Sequence, residues 1–242
     1  MSESFEDKIL VVLPAYNEEG KIGRVVSSMP SEWVHETVVV NDGSTDDTEK
    51  ESRKAGATLI NQPRNMGVGA AIRAGIQYAL ERGYDIVVVM GGDDQDNISE
   101  IGRLLRPILF DEFDFVQGSR YMAGGMRIDI PLFRRFSTGL FSWIFRKLTR
   151  YPITDGTNGY RAFRTSIFKD KNINLGQDWL NNYELEPYLL YKTIKSGFRV
   201  TEAAVTKRYP KDRKVGYTKM IPIVSWWSIL RPLIFLRFGI KK

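Results

Sequence analysis

The sequence predicts an α/β protein built on a mostly parallel sheet sandwiched by helices. Short apolar runs rich in β-branched residues alternate with helix-length segments up to about residue 118, the pattern of strands joined by helical crossovers. Two of the runs, VVVN ending at Asn41 and IVVVM ending at Met90, are apolar without alternation, as strands covered on both faces must be. At 242 residues, with 43% apolar and 12% aromatic residues, the chain has ample material for the core such a sheet needs.

Taken in order, the predicted strands are KILVVLP (8–14), HETVVVN (35–41), ATLIN (57–61), YDIVVVM (84–90) and DFVQGS (114–119), with helices between them. Ser44 with Asp47, and Asn97 with Glu100, fit an N-cap and its partner three residues on. After residue 118 the pattern changes. Residues 131–149, PLFRRFSTGLFSWIFRKLT, interleave aromatic and aliphatic residues with Arg134, Arg135, Arg146 and Lys147, as an amphipathic helix on a membrane surface would. A polar turn, DGTNGYRAFR, then leads into a strand, followed by a helix over about 184–196 and a strand over 198–205. Residues 221–240, IPIVSWWSILRPLIFLRFGI, are apolar, but Arg231, Pro232 and Arg237 argue for an interfacial segment rather than a span. The expected division is therefore a catalytic domain over 1–220 and an amphipathic interfacial segment over 221–242.

Composition excludes several chemistries. The chain has no cysteine and one histidine, His35, so disulfides, thiolate metal sites and histidine-based catalysis are not expected, and His35 reads as structural. Lysine and arginine outnumber aspartate and glutamate by 35 to 29, with the excess after residue 120, which suits phosphate groups or an anionic membrane surface. A nucleic-acid partner is not expected, because the aromatics concentrate in amphipathic tracts and acidic motifs occupy the strand ends. The opening MSESFEDKIL has no hydrophobic signal region, so export by that route is not expected.

The chemistry sits where strands end. LPAYNEEG (13–20) closes the first run, NDGSTDD (41–47) the second, and GGDDQD (91–96) the fourth. Each piece alone also fits a proline-stopped strand, a turn aspartate or a solvated cap. Their recurrence at one sheet edge, the carboxyl ends where open sheets bind ligands, favours a site. Three carboxylates crowded into residues 93–96 repel one another unless a cation or a set of donors absorbs the charge.

In order and spacing, PAYNE, NDGSTD, Asn65–Gly67–Gly69, the acidic strand end, GSRYMAGG (118–125), the Arg134–Arg135 pair before Ser137, Asp155-x-Thr157-x-Gly-Tyr-Arg161 and DRKVGYTK (212–219) resemble the inverting nucleotide-sugar glycosyltransferases of the GT-A fold, glycosyltransferase family 2. The similarity narrows to the dolichyl-phosphate mannosyltransferase branch and its polyprenyl-phosphate relatives, and covers roughly residues 8–220. The resemblance implies that Pro14, Ala15, Tyr16, Glu18, Asp42, Gly67, Gly92 and Asp93 hold the nucleotide, with Asp42 toward the base. It implies that Asp93 and Gln95 hold a divalent cation, Mg²⁺ or Mn²⁺, on the donor diphosphate. Gly91 stands where the family has its first motif acid, so Asp94 or Asp96 would have to substitute. Arg120, Arg134, Arg135 and Ser137 would meet an acceptor phosphate, although Arg134 and Arg135 equally fit surface charges on a helix. Arg213 and Lys219 would close over the diphosphate as a lid. Asp93, Arg120 and Arg213 are the expected catalytic residues. Asp155, Thr157 and Arg161 would either face the donor or fix their own turn, Arg161 pairing with Asp155. Glu184 and Glu186 read as helix-start charges.

The implied activity is transfer of a hexose, mannose from GDP-mannose first, to a dolichyl or polyprenyl phosphate by a peripheral protein on the cytoplasmic face of the cell membrane. Alternatives are UDP-glucose as donor, a glycolipid hydroxyl as acceptor, or a noncatalytic scaffold, for which Gly91 speaks.

Overall fold

The computed structural model of the chain describes residues 5–210 and 224–241. Each apolar run becomes a strand: β1 (Ile9–Ala15), β2 (Glu36–Asn41), β3 (Thr58–Asn61), β4 (Ile86–Val89) and β5 (Phe115–Ser119). Helices α1 (Ile22–Ser27), α2 (Thr48–Lys54), α3 (Val68–Arg82) and α4 (Ile101–Phe110) connect them in turn. Next come β6 (Met126–Ile128), α5 (Leu132–Thr149), β7 (Arg161–Arg164), α6 (Leu185–Lys195), β8 (Val200–Ala204), β9 (Thr206–Arg208) and α7 (Val224–Arg237).

Among the described residues the main sheet runs β3-β2-β1-β4-β7-β5-β8. Its pairings are parallel except that β7 is antiparallel to both neighbours, β4 and β5. The wedging of β7 between β4 and β5 was not foreseen, and neither was the small parallel pair of β6 and β9 beside the sheet. From β1 the chain first builds outward through β2 and β3, then returns to place β4 on β1's other side. The strand order therefore reverses between β1 and β4, the crevice where open sheets take ligands.

Residues alternate along the strands between two cores. Leu10 and Val12 of β1 and Val87 and Val89 of β4 join one cluster with α3, α5 and α6, whereas Ile9, Val11, Ile86 and Val88 join the other with α1 and α4. This alternation explains why both runs are apolar throughout.

Two expected caps differ. Helix α2 begins at Thr48, whose N–H is taken by Asp46 Oδ1 at 3.1 Å, while Ser44 Oγ instead accepts the Asn17 N–H at 3.0 Å. Asn97 does cap, accepting from Ser99 N at 3.3 Å, but Glu100 turns away to the Thr206 N–H and hydroxyl because it is buried beside β9. His35 is structural, its Nδ1 accepting the Ile9 N–H at 3.2 Å. Helix α7 is not simply an interfacial face: Leu233 is buried, and Ile229, Leu230 and Leu236 pack on the same core as α6. Among the described residues no helix is long and apolar enough to cross a membrane.

One close approach fixes the loop before α6. A Cβ on Gly69 would lie 2.2 Å from the Leu180 carbonyl oxygen and 2.4 Å from that of Asn182, so α3 and this loop touch backbone to backbone. Gly69→Ala is expected to cost about 1–3 kcal/mol by overpacking, read as a lower urea midpoint.

Candidate active site

The strand ends open into a cavity of about 720 Å³. Pro14, Ala15, Tyr16 and Glu18 line it from the end of β1, Asp42 from β2, and Gly91, Gly92, Asp93, Gln95 and Asp96 from β4. Arg120 enters from β5 and Arg134 and Thr138 from α5, while Glu184, Trp226, Ser228 and Arg231 close the far side. Gly67 also lines it. The arrangement brings together every expected nucleotide-binding residue and the expected cation pair.

The first two strand ends are stitched to each other. The Asn17 side chain accepts the Thr45 N–H at 2.9 Å, and the Glu18 N–H donates to Thr48 Oγ1 at 2.7 Å. Glu18 is buried and pairs with Lys21 at 2.8 Å. Asp42 is also buried, and both its oxygens accept peptide N–H groups, Met66 at 2.7 Å and Gly67 at 3.0 Å. Burial pushes its carboxyl up, against the lowering pull of those two bonds. The Gly67 amide is thus committed to Asp42, and its φ of 100° holds the turn into α3.

At the third strand end the acids separate. Asp93 lines the cavity and its Oδ1 accepts the Gln95 N–H at 3.2 Å. Asp94, with φ of 60°, turns outward to Arg24 at 2.8 Å and does not reach the cavity. Asp96 is buried, and both its oxygens bond Lys207 Nζ at 3.0 Å. Asp94 therefore points away from the cavity, and Asp96, which lines it, is held by an ammonium. The same donors answer the crowding of charge at this strand end. Among the described residues no cluster of three or more metal-ligating His, Cys, Asp or Glu side chains occurs.

Arg120 is buried against Asp155 rather than presented to solvent. Its Nε lies 2.7 Å from Asp155 Oδ2, and a second nitrogen bonds Asp155 Oδ1 at 2.9 Å and Thr157 Oγ1 at 2.8 Å. Burial alone would raise the Asp155 carboxyl, but the Arg120 guanidinium beside it holds it below the ordinary carboxylate value. The expected Arg161–Asp155 pairing is absent. Arg161 is buried and instead reaches Glu186 at 3.2 Å and the Glu186 carbonyl at 3.0 Å, because the antiparallel β7 carries it toward α6.

The acceptor set divides by helical phase. Arg134 and Thr138, one turn apart on α5, face the cavity, and Arg134 lies over the Tyr209 ring at 5.4 Å. Arg135 is exposed on the outer face, and Ser137 is buried with its hydroxyl donating to the Arg134 carbonyl, so neither lines the cavity. Arg213 and Lys219 lie outside the described residues.

Lys207, Tyr209, Glu184 and Arg231 were missed as site residues. Glu184 is not a solvated helix-start charge. It is 1% exposed and accepts from Asn182 N at 3.0 Å, from the Ser228 hydroxyl and from Arg231, tying α7 to the cavity wall. Its signal was weak: a carboxylate in an apolar stretch, 47 residues from its arginine.

Residues 10–171 match the family model described as glycosyl transferase family 2. Polyprenol monophosphomannose synthase of Mycolicibacterium smegmatis is 31% identical, over 88% of this chain and 81% of its own length. Dolichyl-phosphate hexose transferase of Haloferax volcanii is 28% identical, over 97% of this chain and 96% of its own. Among solved structures, glucosyl-3-phosphoglycerate synthase of Mycobacterium tuberculosis superposes with a TM-score of 0.72 at 22% identity, covering 98% of this chain and 82% of that one. The same enzyme has been crystallised with Mn²⁺, uridine diphosphate and phosphoglyceric acid. A family match across most of the chain, joined to a parallel sheet whose strand-order reversal opens on the expected motif residues, leads to one assignment: the chain is a glycosyltransferase of family 2 with the GT-A fold.

Proposed function

We propose that this glycosyltransferase moves a hexose from a nucleotide diphosphate sugar to the phosphate of a polyprenyl or dolichyl lipid at a membrane surface, with mannose from GDP-mannose as the leading donor. The observation that carries the reading is a single cavity shared by the donor strand ends and by Arg134 of α5. Its volume, about 720 Å³, suits a sugar nucleotide. The names of the polyprenol and dolichyl relatives support the acceptor class. The uridine nucleotide of the M. tuberculosis enzyme makes UDP-glucose the donor to test beside GDP-mannose.

An ionised lipid phosphate needs no base to attack the sugar, so the protein's task is alignment and charge. Arg134 faces the cavity and suits a phosphate oxygen. Arg120, locked by Asp155, forms a fixed, charge-balanced part of the wall. Asp93 and Gln95 offer a carboxylate and an amide oxygen at the end of β4, a donor set that fits a hard cation completing its coordination on diphosphate oxygens. When bound, such an ion would offset the charge growing on the leaving diphosphate.

The outer face of α5 supports attachment to lipid. Leu132 is 82% exposed, Phe133 71% and Phe136 70%, with Trp143 and Arg135 beside them. The net charge of +6 suits the anionic cytoplasmic leaflet.

The decisive assay incubates the protein with radiolabelled GDP-mannose or UDP-glucose, Mn²⁺ and undecaprenyl or dolichyl phosphate. The expected result is label in the organic phase with one donor. No lipid product from either donor, with nucleotide still bound, would return the chain to the scaffold reading. In a companion measurement the protein is expected to sediment with anionic vesicles. The double variant Phe133→Ser/Phe136→Ser should lower the bound fraction at least about tenfold.

A further inference from the structure

We propose that Lys207 is a cation built into the donor site, its ammonium giving the diphosphate a positive partner from the protein itself at the strand end where Gly91 leaves one carboxylate fewer. The inference rests on the nucleotide-sugar reading of this cavity and adds a ligand contact to it.

Three observations converge. Lys207 Nζ is held at 3.0 Å from both oxygens of Asp96, so its head is fixed. Its side chain is 15% exposed, and the residue lines the cavity alongside Gly91, Gly92, Asp93 and Gln95. The backbone around it is locked to the acidic loop, with the Arg208 N–H donating to the Gln95 carbonyl at 2.8 Å and the Asn97 N–H to that of Thr206 at 3.2 Å.

Gly91 carries no side chain, so the strand end has one possible charge fewer. A Cβ there would lie 3.0 Å from Asp93 Oδ1, the movable end of a side chain. The Gly91 N–H points instead toward Asp96 Oδ2 at 3.5 Å. The two inward acids, Asp93 and Asp96, together with Lys207 carry a net charge of one negative. Two unpaired acids would carry two. The strand end therefore repels a diphosphate less before any metal ion arrives, and part of the donor's binding becomes independent of one. A purely structural pair is the competing account, because the ammonium neutralises a buried carboxylate in either case.

Calorimetry with GDP and UDP separates the two, run once with Mn²⁺ and once with EDTA. The wild-type protein is expected to bind nucleotide in both, more weakly in EDTA. The double variant Asp96→Asn/Lys207→Met removes the pair together, avoiding an unpaired buried charge. It is expected to unfold near the wild-type temperature yet bind in EDTA about 10- to 100-fold more weakly. Lys207→Gln, which can still donate to Asp96 but leaves both acids charged, should lose at least as much, and Lys207→Arg should keep most of the binding. If the neutral variants bind in EDTA as tightly as wild type, or if wild type binds only with Mn²⁺, the Lys207 proposal is overturned while the enzyme reading stands. Absence of nucleotide binding under both conditions overturns both.

Discussion

Asp93→Asn is expected to lower kcat/KM for sugar transfer by about a hundred- to a thousandfold while leaving the thermal unfolding temperature unchanged. The substitution is chosen to be gentle. The Asp93 carboxylate accepts the Gln95 N–H through Oδ1, and an asparagine can keep that bond. The residue is half-buried and lines the cavity, so the main loss is one negative charge facing the ligand. Asp94 is turned to Arg24 and Asp96 is bonded to Lys207. Initial rates at several Mn²⁺ concentrations check the expectation. The loss should fall mainly on kcat, because the charge on the leaving diphosphate grows in the transition state. A rate within about threefold of wild type would remove Asp93 from the chemistry.

The second large effect is on stability. Asp155→Ala is expected to cost about 3–5 kcal/mol, because it strands the Arg120 guanidinium where Arg120 is only 4% exposed. Arg120 would be left with the Thr157 and Tyr209 hydroxyls, and Asp155 itself is wholly buried. The pH dependence has a definite sign. Asp155 has a folded pKa below its unfolded value of 3.8, so the unfolded chain binds more protons between the two. The stabilisation is complete above the unfolded value and drains away as pH falls through the folded one. Urea unfolding at neutral pH and in steps toward acid should show a large gap between variant and wild type that narrows in acid. A gap that stayed constant would mean the carboxylate charge is not the source.

Much of the donor side was legible in the residues because it is local. A strand ends, a proline or glycine turns the chain, and a carboxylate follows, three times on one edge. The pairings were not legible. Arg120 meets Asp155 across 35 positions and Lys207 meets Asp96 across 111, and nothing in periodicity marks which charge a buried charge will face. For Arg161 the residues left two readings open, facing the donor or pairing with Asp155, and β7, only four residues long, gave no sign of running antiparallel into the middle of the sheet toward Glu186. The resemblance places Arg135 and Ser137 with Arg134 at an acceptor phosphate, whereas helical phase sends the three in different directions.

Asp42 carries a consequence for anyone wishing to retune which sugar nucleotide this scaffold accepts. Its two oxygens are already occupied by the amide hydrogens of Met66 and Gly67. A swap at position 42 would loosen the bend that launches α3 before it altered any preference between purine and pyrimidine. Reprogramming should begin instead at Tyr16, which borders the same hollow and makes neither of those two bonds.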